Sequence, residues 1–289
     1  LWKPKSDADI QSLTFGTNGF YLPFKQTTEA EGFSTVTYSG TSSQQAIEGV
    51  GFEPDFVWVK NRSSAYHHGL FDSVRGANKV LKSSDTSAEV TYTEQLKSFD
   101  ANGFSLGDNS DSGNYVNISG NNYVAWCWDA GSGSAVSNTD GSITSSVKSN
   151  TAKGFSIITY TGNGTDNATI GHGLSQAPDM VITKNRDYAR NWVVAHSAIS
   201  GKGINLNETS AAWTDTTIYD TDTLGSSVLT VGNSNYINSS IYNYVMYAFH
   251  SVAGYSSFGS YSGTGAAGNA VTGLGFKPAW VMIKRTDNS

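Results

Sequence analysis

The chain has 289 residues, of which only 15% are charged, and its formal net charge is −6. Serine, threonine, asparagine and glycine supply 122 of the 289 residues, and these residue types favour turns or compete with the helix backbone through their side chains. No cluster of more than two basic residues occurs, which argues against a nucleic-acid partner. No apolar run reaches the roughly 18–20 residues of a membrane span. The composition therefore predicts an all-β protein that does not insert into a membrane.

The first 31 residues precede an internal repeat and are predicted to be the end of a preceding module or a linker. The repeat consists of three sequence blocks, and a repeat of this kind sets the architecture of a chain. The first block spans Gly32–Gly40, recurs at Gly154–Gly162 and returns more loosely at Gly254–Gly263. The order of the blocks is the same in each copy, so the chain contains tandem modules.

The second and third blocks are nearly continuous apolar runs, as expected of strands covered on both faces. The second block occurs three times, at Gly51–Arg62, Ser175–Arg186 and Gly275–Arg285. The third block occurs twice, at Asn122–Trp128 and Asn243–Phe249. In the first block, by contrast, successive residues alternate as in a half-covered strand.

Shorter strand candidates lie between the blocks, and turn signals recur at short intervals, which is typical of a sandwich or jelly roll. We therefore predict tandem β-sandwich, jelly-roll-like modules with little helix. The shorter candidates are Gly69–Val74, Lys79–Lys82, Phe104–Leu106, Trp192–His196 and Val228–Val231. The predicted units are a first module at 32–131, a Gly/Ser/Thr/Asn-rich linker or loop at 132–153, a second module at 154–253 and the start of a truncated third module at 254–289.

No pattern indicates a metal site, a cofactor or a nucleophile. The single cysteine, Cys127, aligns with Ala248 in the duplicate, which predicts a small buried residue. The five histidines form no pair with metal-ligand spacing. The single match to the nucleophile-elbow pattern G-x-S-x-G, Gly103–Gly107, lies in the strand candidate Phe104–Leu106 and not at a strand-to-helix turn. A pair of carboxylates for glycoside cleavage stays a possibility, because the fold, and not the spacing in the sequence, brings such a pair together. The first acidic residues to consider are Asp85, Glu89, Asp108 and Asp111.

Aromatic residues make up 12% of the chain. Those inside the blocks are predicted to be core, whereas five lie outside the blocks among polar residues. An exposed ring at such a position could stack on a sugar or anchor a protein contact, and the alternative for each ring is partial burial at an edge. These ligand-binding candidates are Tyr66, Tyr188, Trp192, Trp213 and Tyr219.

Several of these segments resemble tandem modules in the tail fibre proteins of bacteriophages, many of which infect marine bacteria and cyanobacteria. The resemblance rests on Gly171–Leu174, Ala177–Arg186, Ser137–Ser145 and Phe258–Gly263. The opening segment Gly16–Phe24 also resembles part of those fibres, often the end of a preceding lectin-like domain.

The resemblance implies a structural and adhesive component of a tail fibre, located outside the cell on the virion, that contributes to host attachment. It implies a homotrimer that contacts other tail proteins and a glycan or protein on the host surface, and it brings no catalytic residue. Two alternatives stay open. One is a glycan depolymerase carried on a fibre, and the other is a purely structural filament without a ligand.

Overall fold

The computed structural model describes residues 32–111, 113, 116–221 and 223–287, so the predicted preceding module or linker at 1–31 lies outside the described residues. Within these ranges the protein is all-β, with one short 3-10 helix at Ser197–Ile199, which confirms the predicted fold class. The described residues include no helix of the length and apolarity needed to cross a lipid bilayer.

The first module is a sandwich of a four-stranded sheet and a three-stranded sheet. The larger sheet has the order β1-β9-β3-β4, the smaller has β2-β8-β7, and β5 pairs with β6 alone. The strands are β1 (Phe33–Ser39), β2 (Gln45–Glu48), β3 (Phe56–Asn61), β4 (Gly69–Asp72), β5 (Lys79–Val80), β6 (Val90–Thr91), β7 (Leu96–Asp100), β8 (Gly103–Leu106) and β9 (Asn122–Trp128).

The second module repeats this plan with a larger main sheet. A seven-stranded sheet in the order β10-β11-β12-β18-β14-β15-β16 packs against the pair β13-β17. The strands are β10 (Val136–Asn138), β11 (Ser145–Asn150), β12 (Phe155–Thr161), β13 (Ala168–Gly171), β14 (Met180–Asn185), β15 (Val193–His196), β16 (Gly203–Asn205), β17 (Val228–Val231) and β18 (Asn243–Phe249). All three blocks and the shorter candidates of the sequence form strands in these two modules.

The prediction of a linker or loop at 132–153 is wrong, because this segment contributes β10 and β11 to the second module. β11 pairs along its length with β12, from Ser145 opposite Tyr160 to Asn150 opposite Phe155. Val147 of β11 is 3% exposed and belongs to the core of the second module. Serine-rich sequence forms a strand here because the edge of β12 supplies hydrogen-bond partners and alternate side chains reach the core.

Equivalent strands in the two modules pair in the same register. Phe33 of β1 lies opposite Trp128 of β9, and Phe155 of β12 lies opposite Phe249 of β18. Each module therefore places its third-block strand between its first-block and second-block strands. This central position explains the nearly continuous apolar sequence of the third block, since both faces of the strand are covered.

In the strands of the two main sheets, successive side chains point into two different cores. In β3, Val57 and Val59 point into the core of the first module, whereas Phe56 and Trp58 point out of it. The outward faces of the two main sheets pack together, and Phe56 stacks on Tyr247 with ring centroids 4.3 Å apart. We call this apolar contact between the modules the shared cluster. Its buried members are Phe56, Trp58, Leu70, Leu81, Trp128, Ala130, Phe155, Ile157, Met180, Ile182, Trp192, Val194, Ile204, Val245, Tyr247 and Phe249.

A buried polar arrangement also recurs in both modules. In the first module Tyr38 donates to Val116 O, and Asn117 donates to Ser43 O and Gly107 O. In the second module the same bonds run from Tyr160 to Ile237 O and from Asn238 to Thr165 O and Gly232 O. The polar residues at these positions are therefore structural, since they satisfy loop carbonyls that lie away from water.

The glycine that ends the first block is required by a close backbone approach. A Cβ atom on Gly162 would lie 2.3 Å from Ser239 O, and one on Gly40 would lie 2.2 Å from Ile118 O. Both contacts are with backbone atoms, which cannot rotate away as a side chain could.

We expect Gly162→Ala to lower the free energy of unfolding by about 1–3 kcal/mol, the usual cost of inserting a methyl group into packed structure. Gly263 holds the same place in the third copy, but a Cβ atom added there would meet no other atom within 4 Å, so Gly263→Ala is the matched control. Urea unfolding of both variants measures the difference, and equal stability of the two would contradict the proposed contact.

The third copy does not form the strand that the second block at Gly275–Arg285 predicts. No strand is found between 250 and 287 among the described residues. In both modules the second-block strand is hydrogen-bonded to a third-block strand, β9 or β18. No third block follows Arg285 in these 289 residues. The segment is held instead by Ala212 N, which donates to Thr286 O, and by Lys284 Nζ, which donates to Glu208 O.

Candidate functional site

Two of the five aromatic candidates are buried, which corrects their assignment as ligand-binding rings. Trp192 is 0% exposed in the shared cluster and donates from Nε1 to Lys82 O at 2.7 Å. Tyr219 is 1% exposed, and its hydroxyl lies 2.9 Å from Thr183 Oγ1. Each polar tip finds a partner inside the protein, which is what allows rings of this size to be buried.

Trp213 is half-buried against the core of the second module and is likewise a packing residue. Its ring covers Gly203, where an added Cβ would lie 2.2 Å from ring atom Cη2. The backbones of the same two residues exchange hydrogen bonds of 2.9 Å. Replacing Trp192 or Trp213 would therefore disturb packing, so neither substitution tests ligand binding alone.

Tyr66 and Tyr188 are exposed, at 40% and 48%, and both follow a second-block strand. Tyr66 lies in the loop between β3 and β4, where Lys60 Nζ donates to its carbonyl oxygen at 2.8 Å. In the same loop, His68 Nδ1 accepts a 2.8 Å hydrogen bond from Trp58 Nε1. Burial, together with the nearby charge of Lys60, lowers the pKa of His68 to about 4. The ring is therefore neutral at pH 7, consistent with its role as an acceptor.

Tyr188 belongs to a cluster of aromatic rings around one cation. Its ring stacks on that of Tyr242 at 6.0 Å with an interplanar angle of 29°. The Arg190 guanidinium lies 4.5 Å from the centroid of Tyr188 and 5.6 Å from that of Tyr236. Such cation–π contacts hold the rings in place while leaving Tyr188 about half exposed. We call these four residues the tyrosine–arginine cluster.

The loop that carries Tyr188 is fastened to the main sheet by hydrogen bonds. Asn185, the last residue of β14, accepts from the backbone nitrogens of Asp187 and Tyr188 at 3.0 and 2.9 Å. Asp187 Oδ2 accepts from the backbone and side-chain nitrogens of Asn243 at 2.6 and 2.9 Å. Because β14 and β18 both hold this loop, Tyr188 is presented by a rigid part of the fold.

A shallow groove of the second module is lined in part by Arg186 and Asn243, which flank this loop. The groove has a volume of about 360 Å³, and it shares Asn243 with the contact just described. Two of its lining residues are hydrogen-bonded to each other, since Thr161 Oγ1 donates to Asn243 Oδ1 at 2.9 Å. Most of the lining side chains carry a hydroxyl group, and the complete lining is Ser137, Thr144, Ser145, Ser146, Thr159, Tyr160, Thr161, Arg186 and Asn243.

The one cation of the groove lining is already paired. Arg186 Nε and Nη2 each donate to a different carboxylate oxygen of Glu89 at 2.9 Å. Burial alone would raise the pKa of Glu89, but the hydrogen bonds from Arg186 and the charge of Arg75 outweigh it and hold the pKa below its ordinary value. The groove thus offers neutral hydroxyl and amide groups beside a neutralised ion pair, which suits a polyhydroxylated ligand.

Two of the four acidic residues considered for glycoside cleavage, Glu89 and Asp108, have a pKa below the ordinary value. A general acid needs a raised pKa, whereas Glu89 is held ionised by two arginines and hydrogen bonds to Ser110 lower the pKa of Asp108. Asp85 lies 3.6 Å from His67 and 3.8 Å from Lys82. In the described part of the chain, no group of three or more His, Cys, Asp or Glu side chains could hold a metal ion.

Cys127 is buried in the core of the first module, which confirms the prediction of a small buried residue. Burial raises the pKa of its thiol, so the reactive thiolate form is disfavoured.

Sequence reasoning missed Tyr242, Tyr236, Arg190 and Asn243. Tyr242 directly precedes the third block and Asn243 is its first residue. Aromatic and polar residues are expected there because the block forms a strand, so they do not indicate a ligand site. Arg190 and Tyr236 are 46 positions apart, and only the folded sheet brings them together. An alternation pattern cannot identify such a site, because its members come from two loops that are distant in the sequence, β14–β15 and β17–β18.

Comparison with known proteins gives one result. A search of curated proteins and a search of solved structures each find no match. Residues 28–289 match the family described as Domain of unknown function (DUF7483). Because this match covers both modules and the described third copy, the chain belongs to the DUF7483 family.

Proposed function

We propose that this chain is a non-enzymatic structural and adhesive part of a bacteriophage tail fibre that binds glycan on the host surface. The observation that carries the proposal is the half-exposed Tyr188 ring on a loop fastened to Asn243, which also lines a groove of hydroxyl and amide groups. An exposed aromatic face stacks on the apolar face of a sugar, while hydroxyl and amide groups exchange hydrogen bonds with its hydroxyls.

The wider setting of the proposal is a virion outside the cell, where the chain forms a homotrimer and contacts other tail proteins. Two modules joined through the shared cluster suit this setting, because they form a compact β-structure that needs no disulfide. The molar mass in solution tests the trimer, which would have about three times the 30.8 kDa of one chain.

We expect Tyr188→Ala to lower the binding of the purified chain to glycans by about tenfold or more, since stacking residues dominate such contacts. The measurement is binding of the labelled chain to a microarray of bacterial surface glycans, followed by titration with each glycan that gives a signal. Tyr261→Ala removes a ring of similar exposure, 51%, in the third copy and is the matched control.

Three outcomes would count against this site or this function. Equal binding by Tyr188→Ala and the wild-type chain would remove the tyrosine–arginine cluster from the site. Absence of binding to every glycan would favour a purely structural filament. Release of sugar from the array would favour a depolymerase.

A further inference from the structure

Ile241 has a backbone conformation that a branched side chain rarely adopts. Its φ is 70°, in the left-handed region. The other non-glycine residues with a positive φ among the described residues are Ser42, Asn109 and Asn167. These are small polar residues, and asparagine tolerates the left-handed region because its side chain bonds to the local backbone. Isoleucine forms no such bond and carries two heavy atoms on its Cβ, so the conformation at Ile241 is strained.

The first module has glycine at the equivalent position. Asn117–Asn122 aligns with Asn238–Asn243, which matches Gly120 to Ile241. The φ of Gly120 is 77°. In both modules the backbone nitrogen of this residue donates at 3.3 Å to the carbonyl oxygen of the glycine that ends the first block. The turn therefore needs a left-handed residue in both modules. Glycine meets this need without strain, whereas the second module carries isoleucine there.

The isoleucine side chain is not used in the packing of the fold. It is 78% exposed, the highest fraction for a large apolar side chain in the described part of the chain. A non-glycine residue persists in this region where another gain compensates for the strain, and such residues cluster at ligand sites. Since burial inside the protein does not compensate at Ile241, the strain points to a contact outside the chain.

Ile241 lies in the segment that joins the tyrosine–arginine cluster to the groove. The next residue, Tyr242, stacks on Tyr188, and the residue after it lines the groove. Gly162, which accepts from Ile241 N, directly follows Thr161 of the groove lining. An exposed aliphatic side chain thus belongs to a segment whose neighbours supply aromatic rings, hydroxyl groups and amide groups to the candidate site.

We propose that Ile241 makes this site select glycans whose sugar carries a methyl group, as a 6-deoxy sugar or an N-acetyl sugar does. This selectivity rests on the proposed binding of glycan at Tyr188. Burying a methyl group against an aliphatic side chain is favourable, whereas a hydroxymethyl group or a hydrogen atom in its place gains little from the contact. Burial of one such group corresponds to about a fourfold gain in affinity.

The test compares sugars that are matched except at the methyl group, with the 289-residue chain passed over each sugar in surface plasmon resonance. L-Fucose and L-galactose report a 6-deoxy methyl group, and N-acetylglucosamine and N-formylglucosamine report an acetyl methyl group. In at least one pair, the wild-type chain should bind the methyl-bearing sugar about fourfold more tightly. Ile241→Gly and Ile241→Asn should bind both sugars of that pair equally. Val271→Gly removes a 54% exposed side chain from the third copy and is the matched control, which should keep the preference.

The stability of the variants gives a readout that does not depend on glycan. Ile241→Gly relieves the strained φ, so the urea midpoint of unfolding should rise by about 0.3 M or more. Gly120→Ile introduces the same strain into the first module, and its midpoint should fall by about the same amount.

Four results would overturn the proposal, and they separate it from glycan binding itself. Equal affinity of the wild-type chain within both pairs, while Tyr188→Ala still weakens glycan binding, would remove the role of Ile241 and leave the proposed function standing. A preference that persists in Ile241→Gly would do the same. A urea midpoint of Ile241→Gly at or below the wild-type value would show that the side chain stabilises the fold. Absence of binding to every glycan would overturn the selectivity and the proposed function together.

Discussion

Replacing Arg75 by methionine is expected to lower the free energy of unfolding by about 3–5 kcal/mol. This is the usual cost of removing one partner of a buried ion pair. The Arg75 guanidinium is fully buried and donates from Nε to Asp72 at 2.5 Å and from Nη1 to Glu89 at 3.0 Å. It also donates to Leu70 O and to the Tyr247 hydroxyl at 3.0 and 3.2 Å. Methionine fills a similar volume but leaves the Asp72 carboxylate buried without its counter-ion.

Urea unfolding followed by tryptophan fluorescence measures this loss. Lys97→Ala is the control, because Lys97 forms a partly exposed ion pair with Glu94 and should contribute about 1 kcal/mol or less. A loss below about 1 kcal/mol in Arg75→Met would mean that Asp72 obtains another partner or a proton in the variant.

The second large effect is expected for Phe56→Ala. We predict that this substitution destabilises both modules together. Phe56 is 2% exposed, and its ring lies within 4.3–6.1 Å of the rings of Tyr247, Trp128 and Phe155. Removing such a ring costs about 3–5 kcal/mol through lost contacts and the cavity that remains. Because Tyr247 and Phe155 belong to the second module, the cavity opens between the modules.

Hydrogen exchange distinguishes this interface effect from general loss of packing. In Phe56→Ala, amide exchange should become faster in β3 and also in β12 and β18. Phe104→Ala is the matched control, because Phe104 is 0% exposed in the core of the first module alone. Its cavity should speed exchange mainly within that module. Unchanged protection of β12 and β18 in Phe56→Ala would mean that the modules are energetically independent.

The sequence predicts the strands well because each block repeats and is either alternating, as in the first block, or continuously apolar, as in the second and third. A serine at Ser145 or Ser149 gives no comparable signal, and it becomes part of a strand only because the edge of β12 is available. Conversely, Trp280 and Met282 have the block pattern but form no strand, because strand pairing needs a partner as well as a suitable sequence.

The candidate site was predictable only in part. Of the two outcomes left open for each ring, Tyr66 and Tyr188 show exposure, and both lie in polar loops after a strand. Trp192 and Tyr219 also lie among polar residues in the sequence, yet each is buried with a hydrogen-bond partner from a distant part of the chain, Lys82 and Thr183. Local composition reports the neighbours along the chain, whereas burial depends on neighbours in space.

The register between the first-block and third-block strands has a mechanical consequence for a chain under tension. Phe33 at the start of β1 lies opposite Trp128 at the end of β9, so the first module begins and ends at the same point. In the second module, where β10 and β11 come first, the start of β12 at Phe155 likewise lies opposite the end of β18 at Phe249. A pulling force along the chain would therefore open each strand pair from one end, one ladder step at a time, rather than shear all its hydrogen bonds at once. The resistance to stretching then comes from the aromatic packing at those ends, where Trp128, Phe155 and Phe249 are buried between the two main sheets.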